Sequence, residues 1–269
     1  MTTQTSPDPS AEARPSRPML TDDQLIELLR LIQGADSVEL KLSVPDANQR
    51  STVNALGMDP LESQIRQVVF FDTPGLELNS HGVVLRARRI QGKPGDSVVK
   101  LRPVDPDNLS AEQRQSPGFG VEVDAMPGGF VCSASLKAPQ PDAKIREAMA
   151  GTRPVSKLFT KEQRALFAAN APAGIAMDDL SVLGPINVLK LKFTPPDFDR
   201  RLVAELWLYP DASRILELST KCPAAETFNT AAVVRGYLAS HGVDLAAAQQ
   251  TKTKTALEFF ARELAGSTT

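Results

Sequence analysis

Apolar and polar residues alternate with a period of two over much of the chain, the pattern of half-buried strands. In SVELKLSV, Val38, Leu40, Leu42 and Val44 share one face, and Ser37, Glu39, Lys41 and Ser43 share the other. The pattern predicts strands at residues 37–44, 66–72, 83–90, 97–103, 120–126, 175–179, 186–193, 201–209 and 215–220. A helical stripe of Leu25, Ile26, Leu28, Leu29 and Ile32 predicts a first helix over 21–33, with Thr21 and Gln24 as a capping box. Further helices are predicted at 49–56, 143–150 and 224–240, and a long one at 245–265 that reads as an outer packing element. Many strands at short spacing, without βαβ alternation, indicate an α+β class: an antiparallel sheet or barrel with helices around it.

The polar faces carry charge in pairs. Arg86 and Arg88 share a face, as do Lys100 with Arg102, Glu122 with Asp124, Lys190 with Lys192, and Glu217 with Ser219 and Lys221. Strand parity permits a hairpin with Arg86 opposite Arg102 and Arg88 opposite Lys100, and like charges so opposed repel. Between Gly82 and Arg102 six basic residues stand against one acid, Asp96, so a shared polyanion would relieve the repulsion. The carboxylates of Glu39, Glu122, Asp124 and Glu217 are the ligands that a hard cation such as Mg²⁺ or Mn²⁺ takes alongside phosphate. Cations and carboxylates facing one cavity would form a site for a metal-complexed oligophosphate.

Composition narrows the classes. The chain has 269 residues, with 30 basic and 32 acidic, a net charge of −2 that argues against nucleic acid as a partner. The segment 1–18, with four prolines among polar residues, reads as a disordered tail ahead of one domain over 19–269. No apolar run is long enough to span a membrane, and two cysteines, Cys132 and Cys222, read as reduced thiols of a cytoplasmic protein. The peptide FFDTPGL contains the D-x-x-G of a nucleotide switch. No G-x-x-x-x-G-K-[ST] loop accompanies it, so that reading fails, and Asp72 reads as a turn-capping residue. Trp207 and Tyr209 read as packing residues.

SVELKL, VVFFDTPGLELNSHGVVLRARR and SVVKLRP together resemble the CYTH superfamily, the triphosphate tunnel metalloenzymes. The resemblance is ordered over about 37–102 and continues more loosely through VEVD, KEQR and ILELSTK. It implies an antiparallel β-barrel tunnel with inward charges, flanking helices and action on a small-molecule triphosphate with Mg²⁺ or Mn²⁺. Carried over by position, Glu39, Glu122, Asp124 and Glu217 would hold metal. Lys41, Arg86, Arg88, Lys100, Arg102, Arg164 and Lys190 would contact phosphate, with Lys41 and Arg86 as the candidate catalytic groups. A homodimer is compatible with this reading. Ser37 stands where the family's first strand carries a carboxylate, which predicts weak hydrolysis. A non-catalytic polyphosphate- or nucleotide-binding module and a class IV-type adenylyl cyclase are the alternatives.

Overall fold

A computed structural model describes residues 20–245 and 249–266; the tail predicted at 1–18 lies outside them. Nine strands close into one barrel: β1 Ser37–Val44, β2 Gln64–Asp72, β3 Val83–Ile90, β4 Lys93–Leu101, β5 Phe119–Met126, β6 Gly129–Gln140, β7 Ser181–Phe193, β8 Leu202–Leu208 and β9 Arg214–Cys222. Around the barrel they run β1-β5-β6-β4-β3-β2-β7-β8-β9 and back to β1. Neighbours are antiparallel except β1 and β5, whose parallel pairing sets Ser37 beside Glu122 and Glu39 beside Asp124.

The helices are α1 Asp22–Gln33, α2 Gln49–Ala55, α3 Glu77–Ser80, α4 Ala111–Gln115, α5 Asp142–Met149, α6 Lys161–Asn170, α7 Thr227–Ser240 and α8 Lys252–Gly266. None of the described helices is long and apolar enough to cross a membrane. The outward strand residues lie beneath most of them. Val69, Phe71, Leu85, Val99 and Leu101 pack with Ile145 of α5 and Leu166 and Phe167 of α6. Leu42, Leu216 and Leu218 pack with Val234 and Leu238 of α7, and Val38, Val121 and Val123 with Leu28, Leu31 and Ile32 of α1. Burying each such side chain contributes about 1.5–3 kcal/mol, which favours apolar residues outside and leaves the barrel interior to the alternate, polar positions.

Helix α8 departs from this plan. Its Ala256 and Leu257 pack with Val68, Phe70, Ile186 and Trp207, which have the inward parity of their strands. The terminal helix therefore seals one end of the barrel rather than covering its outside, a correction to the sequence-based expectation. Trp207 does pack there, 6.5 Å from the Phe70 ring, and Tyr209 is buried in the same cluster.

Other expectations are corrected as well. Residues 175–179 form no strand; a short 3₁₀ turn, Met177–Asp179, lies there. Strand β6 and helix α6 were not foreseen. The β3–β4 hairpin pairs Arg86 with Val98 and Arg88 with Asp96, so opposite charges face each other where the expected register opposed like ones. Gly95 makes the β4 side of this hairpin possible: a Cβ there would lie 2.1 Å from the Arg88 carbonyl oxygen. Gln163 of α6 ties the outer layer to the wall, donating to the carbonyls of Ser97 and Leu136 while accepting from the Ser97 hydroxyl.

Asp72 answers the question that FFDTPGL poses. Its carboxylate accepts from the backbone N–H groups of Thr73, Leu78 and Asn79, closing the turn through Leu76 (φ 56°) into α3. Burial raises its carboxyl above the ordinary range, against those three hydrogen bonds. Asp72→Ala should lower stability by about 2–3 kcal/mol, since buried donors lose a charged acceptor, while Asp72→Asn should retain part of it. Urea denaturation measures this, and a loss below about 0.5 kcal/mol, the scale of neutral surface changes, would contradict the capping role.

Candidate functional site

The interior of the barrel is a cavity of about 340 Å³. Lys41, Arg66, Arg86, Arg88, Lys100, Arg102, Lys190, Lys252 and Lys254 line it, against Glu39, Glu122, Glu205 and Glu217. Even with the buried Asp96 and Asp124 added, basic side chains outnumber acidic ones. A space of this size walled by excess cations in low dielectric favours a compact, highly charged anion.

One wall is rich in carboxylate. Glu39 on β1 and Glu122 and Asp124 on β5 bring ligand oxygens within 4.8 Å of one another. Asp124 is fully buried; Oδ1 lies 2.8 Å from Lys41 Nζ, and Oδ2 lies 3.5 Å from both Lys100 Nζ and the Arg102 guanidinium. Neither oxygen accepts a well-aligned hydrogen bond, so the carboxylate is held by charge and retains coordinating capacity. Burial disfavours the Asp124 carboxylate, yet Lys41 and Lys100 outweigh it and pull its pKa down to about 2. Glu39 is likewise lowered: burial opposes ionisation, and Lys41, 2.9 Å away, overcomes it. Ser219 Oγ donates to Glu39, and Lys221 Nζ reaches Glu122 at 2.6 Å. Three converging carboxylates, with both Asp124 oxygens outside any hydrogen bond, suit a hard divalent cation.

The opposite wall is cationic. Arg86 is half-buried; its Nε is buried with no hydrogen-bond partner, and among the described residues Arg86 makes no ion pair. Burial, and then repulsion from Arg88, push its pKa down to about 10, which leaves it a cation at neutral pH. Arg66 is lowered for the same two reasons. Lys100 is also lowered, by burial above all. Arg88 is already satisfied by a bidentate pair to Asp96, with both bonds at 2.8 Å.

The sequence-predicted residues thus separate. Lys41, Arg86, Arg88, Lys100, Arg102, Lys190, Glu39, Glu122, Asp124 and Glu217 converge on the barrel interior. Glu217 stands apart from the three-carboxylate group and instead pairs with Lys252 at 2.7 Å. Arg164 does not reach the cavity: it lies on α6 outside the barrel, donating to the carbonyls of Ser156 and Phe159. Its proposed phosphate contact is withdrawn on that placement. Sequence reasoning missed Arg66, Glu205 and Lys252. Parity could have found Glu205, which has the same strand face as Trp207; Lys252 depends on the long-range seating of α8.

Asp124 also sets a pH dependence. Its folded pKa is depressed, so its stabilisation is present above the ordinary carboxyl value and is lost as pH falls from about 4 to about 2. Asp124→Asn should destabilise by about 3 kcal/mol at pH 7, because buried cations lose their partner. The gap to wild type should narrow across that acid window in urea titrations; a constant gap would contradict the ionised assignment.

No family profile and no curated protein sequence matches the chain. Solved structures do. A candidate adenylyl cyclase from Hippeastrum, for which a dominant triphosphatase activity is described, superposes with a TM-score of 0.60 at 17% identity, covering 82% of this chain and 94% of its own. A candidate adenylate cyclase from Bacillus halodurans superposes at 0.58 and 11% identity, covering 82% of this chain and 97% of its own. At these identities the likeness is one of fold, and on that ground the chain has a CYTH-like tunnel fold.

Proposed function

We propose that the barrel binds a triphosphate, inorganic or small organic, together with Mg²⁺ or Mn²⁺, and hydrolyses its terminal phosphoryl group slowly. The observation that carries this reading is Arg86: a part-buried guanidinium whose buried Nε has no hydrogen-bond partner, set beside Arg88 and Arg66, has no ion-pair partner among the described residues. An anion that bridges Arg86, Lys100 and Arg102 relieves both the desolvation and the mutual repulsion. The triphosphatase activity described for the Hippeastrum protein points the same way.

Glu39, Glu122 and Asp124 would hold the cation, which supplies Lewis-acid polarisation of a phosphoryl oxygen. The chain's own groups do the positioning. Lys41, between Glu39 and Asp124, would move its ammonium onto the phosphate once the cation neutralises those carboxylates. Arg86 and Lys100 face the charge that develops on the equatorial oxygens, where prealigned donors in a dry site act most strongly. Lys190, paired to Glu205 at 2.7 Å, presents its charge from the next wall.

Ser37 favours slow turnover or binding alone. It is buried on the inner face of β1 and registered opposite Glu122, beside the carboxylate cluster. A hydroxyl there leaves the cluster one carboxylate short of what the resemblance implies. The buried, free thiols of Cys132 and Cys222 fit a reducing compartment such as the cytoplasm.

Phosphate release from tripolyphosphate, ATP and thiamine triphosphate, with Mg²⁺, Mn²⁺ or chelator, tests the reading. Ser37→Glu should raise the rate, and Glu39→Ala should abolish its metal dependence. A fast wild-type rate that Ser37→Glu does not increase would refute the argument from the missing carboxylate. Cyclic nucleotide formed from ATP would instead support the cyclase alternative.

A further inference from the structure

The cavity holds a second, separate pair of carboxylates. Glu205 on β8 and Glu217 on β9 are registered opposite each other. Two facing carboxylates repel, and inside a barrel that repulsion demands a cation between them. Lys252, the first residue of α8, provides it: Nζ lies 2.5 Å from Glu205 Oε2 and 2.7 Å from Glu217 Oε1. Its side chain is only 13% exposed. The ammonium also lies 5.2 Å from the Trp207 ring centroid, within cation–π range.

The chain around Lys252 is fixed from two sides. Tyr209 donates its hydroxyl to the Lys252 carbonyl, and Ser43 of β1 bonds Gln249 and Gln250. The packing of Ala256 and Leu257 inside the barrel end then locks the approach of the side chain. Glu205 is engaged at both oxygens: Lys190 takes the other one, and the Trp207 indole donates to the first, while Glu217 meets Lys252 through Oε1. This differs from the Glu39, Glu122 and Asp124 group, where Lys41, Lys100, Arg102 and Lys221 pair with the carboxylates but Asp124 keeps both oxygens without hydrogen bonds.

We propose that Lys252 is the tunnel's resident second cation: its ammonium fills the position between Glu205 and Glu217, so that the tunnel takes one divalent ion and not two. The proposal rests on the reading that Glu39, Glu122 and Asp124 hold the first ion. Lys252 is then a specificity-determining residue for metal stoichiometry. It neutralises Glu205 and Glu217 whether or not metal is present, and it offers no Lewis acidity. Removing it exposes two facing carboxylates, a ligand count that Mg²⁺ or Mn²⁺ accepts with water completing the shell.

Equilibrium dialysis with Mn²⁺ alone, on the full chain, counts the ions without any turnover. Wild type, Lys252→Arg and the double variant Lys252→Ala with Glu217→Gln should each bind one ion; Lys252→Ala should bind two. Thermal melts identify which variants are folded. Two ions in wild type overturn the proposal, as does one ion in folded Lys252→Ala. If Lys252→Ala does not fold, the wild-type count decides. If wild type binds no Mn²⁺, the reading of the first site fails by itself. In that case a gain of one ion in Lys252→Ala still supports the role of Lys252, and no gain overturns it.

Discussion

Charge enclosed in a closed barrel is the constraint on which the rest of the structure depends. Strand alternation sends every second side chain inward, and the helices outside reward apolar residues on the opposite positions. The inward set is then free to be polar, but it is also removed from bulk water, where an unpaired charge is costly. Lys41, Lys100 and Arg102 around Asp124, Arg88 on Asp96, and Lys190 with Lys252 on Glu205 are local answers to that cost. Arg86 makes no ion pair among the described residues, and its Nε has no hydrogen-bond partner.

The division of the interior follows from topology. The parallel β1–β5 pairing brings Glu39 next to Asp124 and so builds a carboxylate wall. The β3–β4 hairpin, with Gly95 allowing close approach to the Arg88 carbonyl, builds the cationic wall opposite. Helix α8 shuts one end with apolar residues and delivers Lys252 into the cavity as it does so. Sealing and charge compensation are therefore one structural event, and loss of α8 would both open the barrel and strand Glu205 and Glu217.

Much of this was legible in the sequence, for identifiable reasons. Residues 37–44 alternate without interruption and 83–90 do so from Leu85 to Arg88, and both strands were placed with their observed ends. The capping box of Thr21 and Gln24 forms as read, and Asp72 caps its turn. Strand β6, GFVCSASLKAPQ, escaped because its inner face carries Ser133 and Ser135, short residues with little strand signal of their own. Helix α6 escaped because KEQRALFAAN has a narrow apolar face, with Gln163 buried by hydrogen bonds instead of by hydrophobicity. Parity gave the inward set of charges, but it could not give the hairpin register. Pairing Arg88 with Asp96 is electrostatically preferable to opposing two basic residues, and that criterion would have corrected the register. Lys252 lay beyond local reasoning, since nothing in its neighbourhood says that the helix turns into the barrel.

The central claim, that the interior cations exist for an anion and not for the fold, is tested most directly on Arg86→Met, by calorimetric titration of tripolyphosphate with Mg²⁺ and by melting of the ligand-free protein. An apolar side chain of similar length relieves desolvation and repulsion, so the ligand-free variant should melt at or above the wild-type temperature. Its affinity for tripolyphosphate should fall by about 10-fold to 100-fold, the range of one charge-assisted contact. A variant that melts well below wild type yet binds tripolyphosphate unchanged would show that Arg86 serves the fold and would contradict the account.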